Sequence, residues 1–217
     1  MKSETLVKQL RNPASAAVAG IIFSVILIVV LVQFHGSVPA GRPSTDWLND
    51  GNRRQGVKTA VSLIPFAGIA FLWFIGVIRT RLGDREDKLF ATVFLGSGLL
   101  FVALLFLAGA LLATVLILFE RGIPVGADSL LLLVVFTKSL MGMFGARMAA
   151  VFTISVSSIG MRTKILPKWL VALGYLTGVI LLLSPPLSNW TQLLFPSWVL
   201  LFSVYILVAS RHRAADA

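Results

Sequence analysis

Long apolar runs constrain this chain most, because several of them reach the roughly 20 residues that a helix needs to cross about 30 Å of hydrocarbon. Inside a bilayer every backbone N–H and C=O must be paired within the protein, which helices achieve. The 217 residues are 57% hydrophobic and only 13% charged, about half the charged fraction of a typical soluble domain. The longest polar stretch, 35–59, is too short for a separate domain. The sequence therefore predicts an all-α fold, a polytopic transmembrane helical bundle that forms a single integral membrane domain over 1–217.

Six transmembrane spans are predicted, at 14–34, 57–78, 89–119, 129–161, 169–187 and 193–209, with an outer loop at 35–56. The first run follows a basic start, as a signal peptide does, but its length favours a transmembrane helix. The third and fourth spans would be roughly 46–50 Å long, well above the hydrocarbon thickness. They must tilt strongly or form an apolar hairpin above the outer surface, covered by the loop, another subunit or a partner protein.

The outer loop carries signals of local structure. Ser44 or Thr45 is placed to cap a short helix that begins near Asp46. Asp46 and Asp50 precede a basic group with which we expect them to pair, formed by Arg53, Arg54 and Lys58. A short interfacial helix leading into the second span is the expected arrangement.

The basic residues fix the expected orientation, because cytoplasmic loops carry an excess of Lys and Arg. The formal net charge of +10 would suggest nucleic acid in a soluble protein, but here the cations flank apolar spans. Twelve lie on one side and five on the other, which predicts cytoplasmic N- and C-termini and a plasma (inner) membrane protein of a bacterium. The larger set is Lys2, Lys8, Arg11, Arg79, Arg81, Arg85, Lys88, Arg162, Lys164, Lys168, Arg211 and Arg213; the smaller is Arg42, Arg53, Arg54, Lys58 and Arg121.

Arg147 is the strongest functional clue, because it is a cation about 9 Å inside the hydrocarbon, with no acidic residue elsewhere in the apolar spans. One interpretation is that it snorkels or bonds helix-end carbonyls; another is that it binds an anionic headgroup, a substrate or a partner's carboxylate. Lys138 lies near the outer boundary, where Glu120 and Asp128 are possible partners. The two cations point in opposite directions on an ideal helix and share a site only if the helix breaks near Gly142 and Gly145.

Ser155 and Ser158 lie on the same helical face as Arg147 and would extend a thin polar track towards the cytoplasm, unless they bond their own backbone. Arg147, Ser155, Ser158 and Lys138 are therefore the candidate ligand-binding residues. Gly174 and Gly178 have the spacing of a close helix-packing motif. Pro65 is expected to kink the second span.

Several kinds of chemistry lack their residues in this sequence. It has no cysteine and only two histidines, both at or outside the ends of the spans, and no carboxylate pair at membrane depth. Haem ligation, zinc proteolysis and aspartyl catalysis therefore lack their parts, and neither a cofactor nor a metal site is predicted. The expected function is that of a non-catalytic subunit or scaffold, in a homo-oligomer or with a partner membrane subunit, that binds an anionic lipid or a partner's carboxylate at Arg147. The alternative is a small transporter or channel for an anionic or amphipathic substrate, with a hydrated cavity that reaches Arg147.

Overall fold

The computed structural model describes residues 13–38, 44–82, 88–164, 166–184 and 190–215, and the regular structure in these ranges is helical. A π-helical turn over Leu140–Gly145 joins two helices into one continuous rod. Short 3-10 turns occupy Asp46–Leu48 and Trp190–Leu193. The α-helices are α1 (Pro13–Ser37), α2 (Gly51–Leu82), α3 (Lys88–Glu120), α4 (Ala127–Ser139), α5 (Ala146–Arg162), α6 (Lys168–Leu183) and α7 (Leu194–Ala215).

Helix length and composition support a helical membrane bundle. Within the described residues, five helical segments are long and apolar enough to cross a bilayer: Ala17–Ser37, Gly51–Arg79, Ala91–Glu120, Ala127–Arg162 and Trp190–Ser210. The apolar α6 has 16 residues, or about 24 Å, which is less than the hydrocarbon thickness. The second helix begins at Gly51, earlier than the predicted 57, and α6 ends at Leu183, earlier than the predicted 187.

The helices pack mainly against their neighbours in sequence, and α7 returns to lie against α1. Phenylalanine rings from five helices fill the interior between them. Phe71 on α2 lies at the centre, with ring centroids 4.3 Å from Phe23 and 5.0 Å from Phe152. The rings of this aromatic core, all buried, are Phe23, Phe71, Phe74, Phe101, Phe152, Phe195 and Phe202. Offset and edge-to-face contacts of this kind add to ordinary packing.

A second hydrophobic core lies at one end of the bundle, where α2, α3 and α4 extend beyond the aromatic core. We call it the apical lobe; its buried residues are Val38, Trp47, Leu48, Val57, Leu112, Val115, Leu116, Leu130 and Val134. Trp47 and Leu48, each 1% exposed, come from the loop between α1 and α2. The apolar hairpin formed by the ends of α3 and α4 therefore has one side covered by the loop of the same chain, which is one of the three expected covers.

Polar contacts fix the loop to the apical lobe. The Asp50 carboxylate accepts hydrogen bonds from the backbone N–H groups of Asn52 at 2.9 Å and Arg53 at 3.3 Å, so Asp50 caps α2. Its other oxygen lies 3.4 Å from the Arg53 side chain, as expected from the sequence. Thr45 precedes the 3-10 turn, but its side chain makes no capping bond. The side-chain cap thus lies five residues after Thr45, and it belongs to α2.

Glu120, at the end of α3, forms ion pairs with two basic residues at the start of α2. Its carboxylate lies 2.5 Å from the Lys58 ammonium and 3.8 Å from Arg54. The Arg54 guanidinium also lies over the Phe119 ring, 5.5 Å from its centroid. Glu120 therefore joins α3 to the start of α2 through Arg54 and Lys58.

Gly174 and Gly178 on α6 allow close packing, as the spacing predicts. A Cβ atom on Gly174 would overlap Ser157 Oγ on α5 and lie 2.9 Å from Nε1 of the buried Trp198 on α7. At Gly178 it would lie 3.3 Å from the backbone carbonyl oxygen of Ala150. Both glycines are therefore needed for the approach of α5 to α6.

Changing Gly174 to alanine should lower the free energy of unfolding by about 1–3 kcal/mol, because Trp198 and Ser157 must move to make room. Reversible unfolding of the purified protein in mixed detergent micelles measures this change. Gly76→Ala is the matched control, since nothing lies within 4 Å of a Cβ there, and the better helix propensity of alanine should leave it neutral or stabilised. Equal stability of the two variants would contradict this packing.

Candidate functional site

The π-helical turn creates the local geometry around Arg147. It contains Gly142 and Gly145, whose low helix propensity makes a regular α-helix less favourable there. The backbone N–H of Ala146 donates to the carbonyl oxygen of Met141, five residues earlier, instead of to that of Gly142. The helix widens here and continues, and it does not break at the two glycines. Such π-turns are frequent at functional sites.

Arg147 donates its Nη1 hydrogens to two carbonyl oxygens of this turn, at 2.8 Å to Met143 and 3.5 Å to Gly142. The guanidinium thus reaches a carbonyl that the wider turn deprives of its usual N–H donor. Carbonyl dipoles solvate a cation, but they do not neutralise it. Among the described residues, no carboxylate lies within 4 Å of Arg147. Five N–H groups are available on a guanidinium, so donors remain for an anion.

The surroundings of Arg147 are partly open. The side chains of Met143 and Phe144, which precede it by one turn, are 40% and 52% exposed. Arg147 itself is half-buried. In a membrane-embedded bundle, this part of the rod therefore presents an apolar surface with one cation to the surrounding lipid.

Lys138 occupies a different site. It lines a cleft between α1, α2, α3 and α4, and Arg147 is not among the residues that line this cleft. The lining residues are Val30, Leu31, Phe34, His35, Ala60, Ile64, Leu105, Ala108, Leu112, Thr137, Lys138, Met141 and Gln192. The two cations of the rod therefore lie in separate surroundings.

His35 and Gln192 are polar members of this cleft that the sequence analysis did not select. The Nδ1–H group of His35 donates to the carbonyl oxygen of Leu31 at 2.8 Å, which leaves Nε2 for another partner. Its ring stacks on Trp190 with centroids 6.1 Å apart. Thr137 lines the same space, but its hydroxyl donates to the carbonyl of Leu133 at 2.9 Å. The sequence signal was weak, because His35 and Gln192 lie far apart in the chain.

Ser155 and Ser158 are both buried on α5 and bonded to their own helix. Their hydroxyls donate to the carbonyl oxygens of Val151 and Ile154, each at 2.8 Å. Ser158 also lies 2.9 Å from the Tyr175 hydroxyl on α6. These contacts place the two serines in the α5–α6 contact, and no hydrogen bond among the described residues joins either serine to Arg147. Their role as ligand-binding residues stays a prediction.

The described residues contain no cluster of three or more histidine, aspartate or glutamate side chains suited to a metal ion. Comparison with protein-family models, characterised proteins and solved structures finds no match to this chain. Function must therefore be argued from the chemistry of the site.

Proposed function

We propose that this chain is a non-catalytic integral membrane protein, a subunit or scaffold of a membrane assembly, that binds an anionic lipid headgroup at Arg147. The observation that carries the proposal is a cation held by two carbonyls of its own helix, with no described carboxylate near it. A lipid phosphate supplies the missing negative charge and accepts the remaining N–H groups.

The topology behind this proposal has six spans, with both termini cytoplasmic and the apical lobe on the outer side. The described basic residues Arg79, Arg162, Lys164 and Lys168 lie at or beyond the helix ends opposite the apical lobe. The basic residues 2, 8, 11, 42 and 85 used for the orientation lie outside the described residues. The short α6 would cross with the help of local bilayer thinning or the snorkelling of flanking residues.

The depth of Arg147 suits an outer-leaflet headgroup. From Arg162, at the cytoplasmic end of α5, the helix rises about 22 Å to Arg147, which leaves less than 10 Å to the outer edge of the hydrocarbon. A long arginine side chain can extend its charge over much of that distance. The exposed side chains of Met143 and Phe144 would lie against the acyl chains of the same lipid.

The structure favours binding over the transport alternative. Transport through this site needs a hydrated cavity that reaches Arg147, whereas the cleft beside Lys138 and the cavity that shares Met141 with it are lined by other residues. Lipid binding at the surface of the rod needs no such cavity.

The test compares Arg147→Gln with Arg147→Lys by native mass spectrometry of the full chain in micelles containing phosphatidylglycerol or phosphatidylcholine. Glutamine still donates to the carbonyls but lacks the charge, so retention of phosphatidylglycerol should fall about fivefold, as expected for about 1 kcal/mol per surface cation. Lysine should retain most of it, and phosphatidylcholine should change little. Lys164→Gln, which removes an exposed charge at the other end of α5, is the control.

Unchanged phosphatidylglycerol retention in Arg147→Gln would refute the proposed headgroup site. Loss of an oligomer or of a co-purified subunit with no loss of lipid would instead assign the arginine to a partner's carboxylate. Circular dichroism of each variant establishes that the helical fold is retained.

A further inference from the structure

A second cavity continues the cleft that contains Lys138 towards the middle of the bundle. The two share Leu31, Met141 and Gln192 as lining residues. The deeper cavity is lined by Leu27, Leu31, Phe101, Met141, Ala146, Ala149, Leu181, Gln192 and Phe195. Together they form one track, which we call the slot.

The slot is long and narrow. Along α3 its lining runs from Phe101 to Leu112, which is about 16 Å of helix. The space that a water-sized molecule can enter is only about 40 Å³ in the outer part and about 20 Å³ in the deeper part. A volume this small along this length leaves room for one methylene chain but not for two side by side. Met141, a flexible side chain, lies where the two parts meet and can move to join them.

Lys138, the charged residue of the slot, lies at one end of it. On α1 its lining runs from Leu27 in the deep part to His35 at the apical end, and along the continuous rod of α4 and α5 it runs from Ala149 to Lys138 in the same direction. Lys138 and His35 line the apical part, and none of the described lining residues is acidic. Gln192 adds an amide that can donate a hydrogen bond. The charge of Lys138 and the amide of Gln192 favour an anion at this end, while the deep end favours hydrocarbon.

We propose that the slot binds a long-chain fatty acid, with its carboxylate accepting hydrogen bonds from Lys138 and Gln192 and its chain directed towards Phe101 and Ala149. A single chain matches the width of the slot, and a carboxylate matches the basic apical end. A two-chain phospholipid would have to leave one chain outside. This ligand and site are separate from the headgroup at Arg147, so each proposal can fail without the other.

The experiment measures binding of hexadecanoic acid and of 1-hexadecanol, at equal concentration, to the full chain by native mass spectrometry in detergent micelles. The acid should bind at least about tenfold more tightly, because the charge-assisted hydrogen bonds are absent for the alcohol. Lys138→Gln should lower acid binding about tenfold and leave the alcohol unchanged. Lys164→Gln removes the same charge in the turn that follows α5, far from the slot. This variant should bind the acid as the unmodified chain does.

A second variant tests the chain-binding part. Ala108→Phe should fill the apical part of the slot and abolish binding of both ligands, since Ala108 is 2% exposed and lines it. If this variant does not fold, an acid brominated near its carboxylate provides the same test in the unmodified chain. The bromine should quench the fluorescence of Trp190, which stacks on His35. The quenching should decrease in Trp190→Phe.

Several results would overturn the proposal. Equal binding of acid and alcohol, or undiminished acid binding in Lys138→Gln, would remove the role of the basic end. Displacement of the acid by a single-chain lysophosphatidylglycerol at much lower concentration would assign the site to a phosphate headgroup. Binding of neither ligand would leave the slot as a packing defect.

Discussion

Phe71→Ala is expected to lower the free energy of unfolding by about 3–5 kcal/mol, the range found for large buried aromatic side chains. The ring is fully buried and lies within 6.0 Å, centroid to centroid, of five other phenylalanine rings. In a bilayer, lipid tails are as apolar as the core, so the loss comes from missing van der Waals contacts and the cavity left behind. Its central position also means that several helices lose contacts at once.

Thermal and detergent-induced unfolding of the purified protein would measure this loss. Phe66→Ala is a close control, because Phe66 lies on the same helix and is 61% exposed. That variant should change the stability by less than about 1 kcal/mol. Similar losses for the two variants would show that the aromatic core is not the main packing centre of the bundle.

Trp47→Ala should have an effect of similar size, about 3–5 kcal/mol, through a different mechanism. Trp47 is 1% exposed in the apical lobe, which lies beyond the hydrocarbon in the proposed topology. The hydrophobic effect acts there in full, because the alternative to burial is water. Its Nε1 has no hydrogen-bond partner among the described residues. The substitution therefore removes packing contacts but breaks no hydrogen bond among them.

Limited proteolysis of the loop that carries Trp47 would detect the change, together with the melting temperature. The loop should become cleavable in Trp47→Ala, while Trp73→Ala, at a 60% exposed position on α2, should remain resistant. A resistant loop and an unchanged melting temperature in Trp47→Ala would mean that the apical lobe is held by its ion pairs at Glu120.

The sequence was informative wherever a property resides in a continuous segment. Apolar run length predicted the helices, and the excess length of the third and fourth spans left two possibilities, strong tilt or an apolar hairpin, of which the second cluster of buried residues at their ends is consistent with the hairpin. The spacing of Gly174 and Gly178 predicted close packing for the same reason. These features depend on residues a few positions apart.

Features that depend on distant residues were not predictable. His35, Lys138 and Gln192 come from three separate segments, and no spacing relates them before the helices pack. The glycines at 142 and 145 indicated a weak point in the helix, but whether a helix breaks or widens depends on the packing around it. The sequence suggested Lys138 as a possible partner of Glu120, and it gave no sign that the loop brings Lys58 and Arg54 to this carboxylate.

The π-turn over Leu140–Gly145 has a consequence for the evolution of this chain. A π-turn is equivalent to one residue inserted into an α-helix, and removing that residue would rotate everything on one side of it by about 100°. Lys138, above the turn, would leave its cleft, and the apolar residues of α4 would no longer face Trp47. Deleting one residue would restore regular α-helical geometry, but α4 and α5 would then no longer both face their present neighbours. Homologous chains should therefore keep the length of this segment even where its residues change.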